Sequence, residues 1–422
     1  MKKIKFLLVL TLATATVSFA QQRTKEIPPG ILTGWMELHC KMVRSAKGIA
    51  HVAYSRHFVY TAIAAYESVM HGNRLYRSLG NQLNGLSNLP APKEKIAWAA
   101  SLNAAYADML RNFYGSFPAC NSRIDSMEQA QQKKLLANKL VQKDMDRSAE
   151  YGKAIAKIII QWSETDNSNS TKEYIPLKGE GVWIPSGKPA APFWAENRTM
   201  TKDLFSVCSL TAPFYSADTS MDFYKMANEV YTVSIALSPS ERATALYWDD
   251  SPDGKYMTVY GHWTSILCGL IKQRHLSLTE ATEAYAKMSI AMYEASILAW
   301  KDKYQYNVMR PITYIQQHIN KPWMPLISTP PHPEFPAAHA TLSNAAATAL
   351  RSLFGRQCSV TDNSYVGIGM KERSYASLQD VAKEAGISRL YGGIHYRYSI
   401  EQGLVLGAAA AKHVNEFLHF RK

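Results

Sequence analysis

Residues 278–305 read LTEATEAYAKMSIAMYEASILAWKDKYQ, and this stretch decides the fold class. Met288, Met292, Ala295 and Ala299 recur four and three positions apart, the spacing that stacks side chains along one face of an α-helix. The same periodicity, rich in Ala, Leu and Met, covers residues 34–71, 94–112, 127–164 and 221–236. Alternating strand patterns with hairpin turns are nearly absent. The sequence therefore predicts a mainly α fold, a helical bundle with added loops.

Two irregular segments interrupt the helices. Residues 165–220 contain YIPLKGEGVWIPSGKPAAPFW, rich in Pro, Gly and Trp, and read as a structured loop over the surface. A loop of that length often carries function or covers a site. A second proline-rich run, NKPWMPLISTPPHPEFP (320–336), stops just before a helix. No internal repeat is evident. We place a soft boundary near residue 237, between an N-terminal helical region with the long loop (21–236) and a C-terminal helical domain (237–422), within one body. Residues 1–20, MKKIKFLLVLTLATATVSFA, have the basic start, short apolar run and small-residue end of a secretory signal peptide cut before Gln21. An exported, periplasmic or secreted chain without an integral membrane anchor is expected.

With 422 residues, 47% of them hydrophobic, the chain can bury a large core. Its formal charge of +13 falls to about +10 without Lys2, Lys3 and Lys5. Such an excess reads as a solvated basic surface or as attraction for anions. No basic run interleaved with aromatics appears, so nucleic acid is not an expected partner. The five cysteines are widely spread with no C-x-x-C pair, which argues against thiolate metal sites and leaves disulfides or buried thiols open.

Three stretches carry chemistry. In KYQYNVMRP (303–311), Lys303 and Arg310 stand seven apart; on a continuous helix they would share a face about 10 Å apart along the axis. Pro311 disfavours helical geometry at Arg310, which places the arginine at the helix end. In HPEFPAAHATLSNAAATALRSLF (332–354), small residues Ala337 and Ala338 precede His339 at the start of an apolar helix, leaving its first N–H groups open to an anion. In GISRLYGGIHYRYS (386–399), the Gly392–Gly393 pair permits a sharp turn that brings Arg389 and His395 to one point. Each pattern alone is more often structural. Together they offer three cations for the three equatorial oxygens of a trigonal bipyramid, and two histidines for its centre and apex.

The order K-x6-R-P, P-A-A-H, S-R-x5-H resembles the signature shared by vanadium-dependent haloperoxidases, bacterial acid phosphatases and type 2 phosphatidic acid phosphatases. The match spans roughly residues 298–403, with weaker similarity through SRHFVYTAIAAYESV (55–69) and LYWDDSPDGKYMTVYGHW (246–263). The resemblance implies the helical bundle of that superfamily. It implies His395 as the vanadate ligand or phosphate nucleophile, and His339 as the acid–base residue. Lys303, Arg310, Arg389 and the Ala338 N–H would bind the oxyanion. Trp300 and His332 correspond to positions that line the halide pocket in the peroxidases.

Two departures stand out. Ala337–Ala338 replaces the family's Ser-Gly, and Ser399 stands where the phosphatase pattern often has Asp. Glu401 or Asp249 is then the expected carboxylate behind His395, if one exists. Trp248, Asp249, Asp250 and Gly261–Trp263 are candidates for the entrance or for packing. The reading this supports is an exported peroxidase using vanadate, hydrogen peroxide and halide. The alternatives are an acid phosphatase acting on a phosphate ester without a cofactor, and a silent oxyanion-binding protein. Halide and oligomeric state are not legible.

Overall fold

The structure, a computed structural model, describes residues 24–251 and 254–422. The proposed signal peptide lies outside the described residues. In chain order the helices are α1 (Gly30–Ser45), α2 (Tyr54–Glu67), α3 (Trp98–Tyr114), α4 (Pro118–Ala137), α5 (Gln142–Ser163), α6 (Asp222–Ile235) and α7 (Pro239–Tyr247). They continue as α8 (Val259–Gln273), α9 (Leu278–Tyr306), α10 (Pro311–His318), α11 (Ala338–Phe354), α12 (Leu378–Tyr391) and α13 (Arg397–Phe417). A two-stranded antiparallel ribbon, β1 (Val360–Asp362) with β2 (Arg373–Tyr375), is the only sheet among the described residues.

The periodic stretch becomes α9, buried along nearly its whole length. Ser277 and Glu280 close its N-terminus with a reciprocal capping box, and Asn307 ends it in left-handed conformation. α9 packs on α2, α11 and α13, and one hydrophobic core runs on both sides of residue 237.

Two long helices expected from periodicity are each divided. Residues 34–71 break between α1 and α2, where Gly48 takes φ +85° and His51–Ala53 form a 3₁₀ turn. Residues 127–164 break between α4 and α5 at Lys139, φ +68°. Apolar periodicity persists across both breaks because both flanking helices face the same core.

α11 and α13 approach unusually closely. A Cβ on Gly407 would lie 2.0 Å from the Thr341 carbonyl oxygen, and one on Gly403 would lie 2.7 Å from that of Ala337. The Ala-rich face of α11 supplies the matching small side chains. This contact fixes the start of α11, where His339 stands. The five cysteines are free; Cys40, Cys120, Cys268 and Cys358 are buried and Cys208 is half-buried.

Gly407→Ala has only backbone to push against. It should lower unfolding free energy by about 1–3 kcal/mol in urea denaturation. Gly187→Ala, where no atom lies within 4 Å of the new Cβ, should leave it nearly unchanged.

Candidate active site

The proline-rich run PPHPEFPAAH (330–339) is rich in acceptors, because each proline offers a carbonyl and no N–H. Lys303, fully buried on α9, donates to the carbonyls of Pro333 (3.0 Å), Glu334 (3.0 Å) and Pro336 (2.6 Å). Three acceptors call for three N–H groups, so this bonding favours the ammonium. Burial opposes it, and with Arg310 nearby pulls the Lys303 pKa well below its ordinary range.

Arg310 is not on α9. It is the extended residue before Pro311, at the start of α10, so it does not share a helical face with Lys303. The two cations converge instead on the proline-rich run. Arg310 Nε donates to the His332 carbonyl (2.9 Å) and Nη2 to His332 Nδ1 (2.9 Å). Nη1 donates to the Ile394 carbonyl (2.9 Å) and to His395 Nε2 (3.2 Å). Because arginine only donates, His332 Nδ1 accepts here, and its 3.2 Å approach to the Pro333 carbonyl is not a second bond.

His395 has its orienting carboxylate, and it is neither Glu401 nor Asp249. His395 Nδ1 donates to Glu334 Oε1 at 2.7 Å, which leaves Nε2 with its lone pair turned toward Arg310. Glu334 Oε1 also accepts from the Tyr396 N–H (3.0 Å), and Oε2 from Ser399 Oγ (2.5 Å). Ser399 therefore serves the carboxylate rather than replacing it. Glu401 is exposed on α13, and Asp249 accepts from the Ser251 backbone and hydroxyl.

A cavity of about 590 Å³ opens over this cluster, lined by Trp300, His332, Ala338, His339, Arg389 and His395 at one end and His51, Asp249 and Asp250 at another. Lys303 and Arg310 stand behind its wall. Arg389 donates through Nε to Ser388 Oγ (3.0 Å) and through Nη2 to the Trp248 carbonyl (2.6 Å), leaving Nη1 for the cavity. α11 begins without a side-chain cap, so the N–H groups around Ala338 are open. Trp300 donates to the Ala190 carbonyl (3.2 Å) from the long loop, and its ring lies 5.1 Å from that of His332. Trp248 and Trp263 pack in the core. The sequence reading did not single out Glu334 or His51. His51 lies in the turn that interrupts the first expected helix.

Burial lowers the proton affinity of every histidine lining this end: His332 and His395 fall well below their usual value, and His339 to about 3. Arg310 is brought down to about 10 by the same cause. Burial pushes Glu334 up, against the pull of Ser399, Arg310 and Lys303. Neutral imidazoles, clustered cations and an uncapped helix start form a donor set suited to a tetrahedral oxyanion.

Residues 283–421 match the family model of the VCPO second helical-bundle domain. The chain is similar to the crystal structure of the first bacterial vanadium-dependent iodoperoxidase, with TM-score 0.84 and 30% identity over 94% of this chain and 98% of that one. It shares its fold with an apo-type bacterial vanadium-dependent chloroperoxidase (TM-score 0.69, 15% identity, 88% and 94% covered). The holo-type bacterial chloroperoxidase gives TM-score 0.67 and 14% identity, with 94% of each chain covered. None of the curated proteins matches the chain.

Burial lowers the proton affinity of six histidines: these three, His39 and His57 between α1, α2 and α3, and His71. Their folded pKa values lie below the unfolded value of about 6.5, so the unfolded chain binds more protons as pH falls through that point. Burial raises Glu67 and Glu294 to about 7 and also raises Glu334 and Asp302, while the Asp250 bond raises His51, and these five act in the opposite sense. The six lowered histidines outnumber them. Stability should therefore fall on acidification from about pH 7 to 5.5, by about 1.4 kcal/mol per pH unit for each uncompensated proton. Urea midpoints across that range measure it; a midpoint that rises contradicts it.

Proposed function

The chain belongs to the vanadium-dependent haloperoxidase family, and on that premise we propose that it holds vanadate at His395 and oxidises halide with hydrogen peroxide. The observation that carries this reading is the 2.7 Å bond from His395 Nδ1 to Glu334, which leaves Nε2 unprotonated on a residue that lines the cavity, within a cluster of cations. Bound vanadate would supply a Lewis-acidic centre that activates peroxide.

The chain's own residues divide the remaining work. Arg389 Nη1 and the N–H groups around Ala338 would take oxyanion oxygens, and Arg310 would join them by turning Nη1 from His395 Nε2. Lys303 contributes its charge and holds the proline-rich run; direct contact with the oxyanion requires exchange of one of its three carbonyl bonds. His339, neutral at working pH, would accept a proton from incoming peroxide. Trp300 and His332 line the cavity and would form the wall nearest the halide. Similarity to an iodoperoxidase favours iodide. The chain would act after export, beginning at Gln21.

Oxidation of iodide or bromide by peroxide should appear only when orthovanadate is added. Release of phosphate from a phosphate monoester, abolished by vanadate, would replace this reading with a phosphatase. Vanadate binding with neither turnover would leave a silent oxyanion-binding protein.

The variants separate the roles. His395→Ala should lose vanadate retention in equilibrium dialysis. Glu334→Gln should weaken that retention about 10- to 100-fold. His339→Ala should retain vanadate while turnover falls about 10²- to 10⁴-fold.

A further inference from the structure

Asp250 sits between two imidazoles. Its Oδ2 lies 3.2 Å from His51 Nδ1, and its Oδ1 lies 3.7 Å from His339 Nε2. The three residues come from separate parts of the chain: the turn between α1 and α2, the segment before α8, and the start of α11. Side-chain exposure falls inward, from 35% for His51 through 21% for Asp250 to 11% for His339. His51 and Asp250 also border a second, small cavity of about 60 Å³, so they form part of the wall between it and the main one. The outer imidazole thus meets water while the inner one faces the reaction space.

We propose that His51 is a positioning residue that sets the proton affinity of His339 by competing for the shared Asp250 carboxylate. The inference rests on the reading of His339 as the acid–base residue of the cavity. A carboxylate drawn to a protonated His51 gives less support to a proton on His339, and the charge on His51 repels that proton directly. When His51 is neutral, the carboxylate is left to the inner histidine. The two histidines therefore titrate as a linked pair.

The surrounding charges do not supply this switch. Arg389 also disfavours a proton on His339 but stays charged throughout. His262 acts in the same sense and is tied to Asp362 at 2.7 Å. Asp249 acts on His51, and Tyr260 and Tyr365 feel the Asp250 charge; burial keeps both phenols protonated. Burial opposes a proton on His51, yet the Asp250 bond overrides it and raises the pKa above its usual value. Burial likewise opposes ionisation of Asp250, and His339, His51 and Arg389 together hold its carboxyl well below the usual range.

The test follows imidazole nitrogens by NMR in the full mature chain labelled with ¹⁵N-histidine, without vanadate. His339→Gln and His51→Gln spectra assign the signals. In His51→Gln, the His339 titration should move up by about one pH unit, a tenfold gain in proton affinity. In Asp250→Asn it should move down, His51 should lose its elevation, and adding His51→Gln should change little further. An unmoved His339 titration in folded His51→Gln overturns the proposal. Should that variant fail to fold, Asp250→Asn decides alone: a His51 titration that stays elevated overturns it.

The acid limb of kcat/KM for iodide oxidation by the vanadate-loaded enzyme is the second readout. It should shift upward with His339 in His51→Gln. If the NMR titration moves and the limb does not, the linkage stands and the acid–base role of His339 falls.

Discussion

The carboxylate of Glu334 is the contact on which the site depends. It receives His395, the Tyr396 amide and Ser399, and so binds the proline-rich run to the turn before α13. The same run accepts all three donors of Lys303 and is gripped by Arg310 through the His332 carbonyl. Three chain segments with no shared secondary structure are thereby held together. A carboxylate so deep is stable only because cations and hydrogen bonds surround it, and the cations are stable only because it is there.

Fold and function meet at the start of α11. The glycines of α13 let α11 settle against it, and the Ala337 N–H donates to the Ser399 carbonyl at 3.1 Å. The α11 N-terminus, His339 and Glu334 are thus fixed against the same short stretch, residues 395–399. That arrangement keeps an anion-seeking helix end, two imidazoles and a cation cluster in constant relation without a disulfide.

The helical class, α9, the start of α11 and the glycine turn before His395 were all legible, because each depends on local spacing. What was not legible depends on contacts across the chain. Glu334 lies 61 residues before the histidine it orients, and no local spacing distinguishes it from Glu401 or Asp249, the carboxylates the sequence offers. Lys303 and Arg310 converge for a different reason than their spacing implied, since the helix ends at Tyr306. His51 was hidden because apolar periodicity continued across a break that only Gly48 marked.

Sulfur placement has its own consequence for an enzyme of this chemistry. On the proposed chemistry a hypohalous product would attack thiolates and thioethers, so the protein would have to outlast what it makes. Burial raises the pKa of Cys40 to about 12 and that of Cys268 well above the usual value, keeping both as unreactive thiols. Met324 and Met221 are exposed, where a sulfoxide disturbs no core packing. The sulfur most open to such an oxidant thus lies outside the core and the buried thiols inside it, with half-buried Cys208 at the border between them.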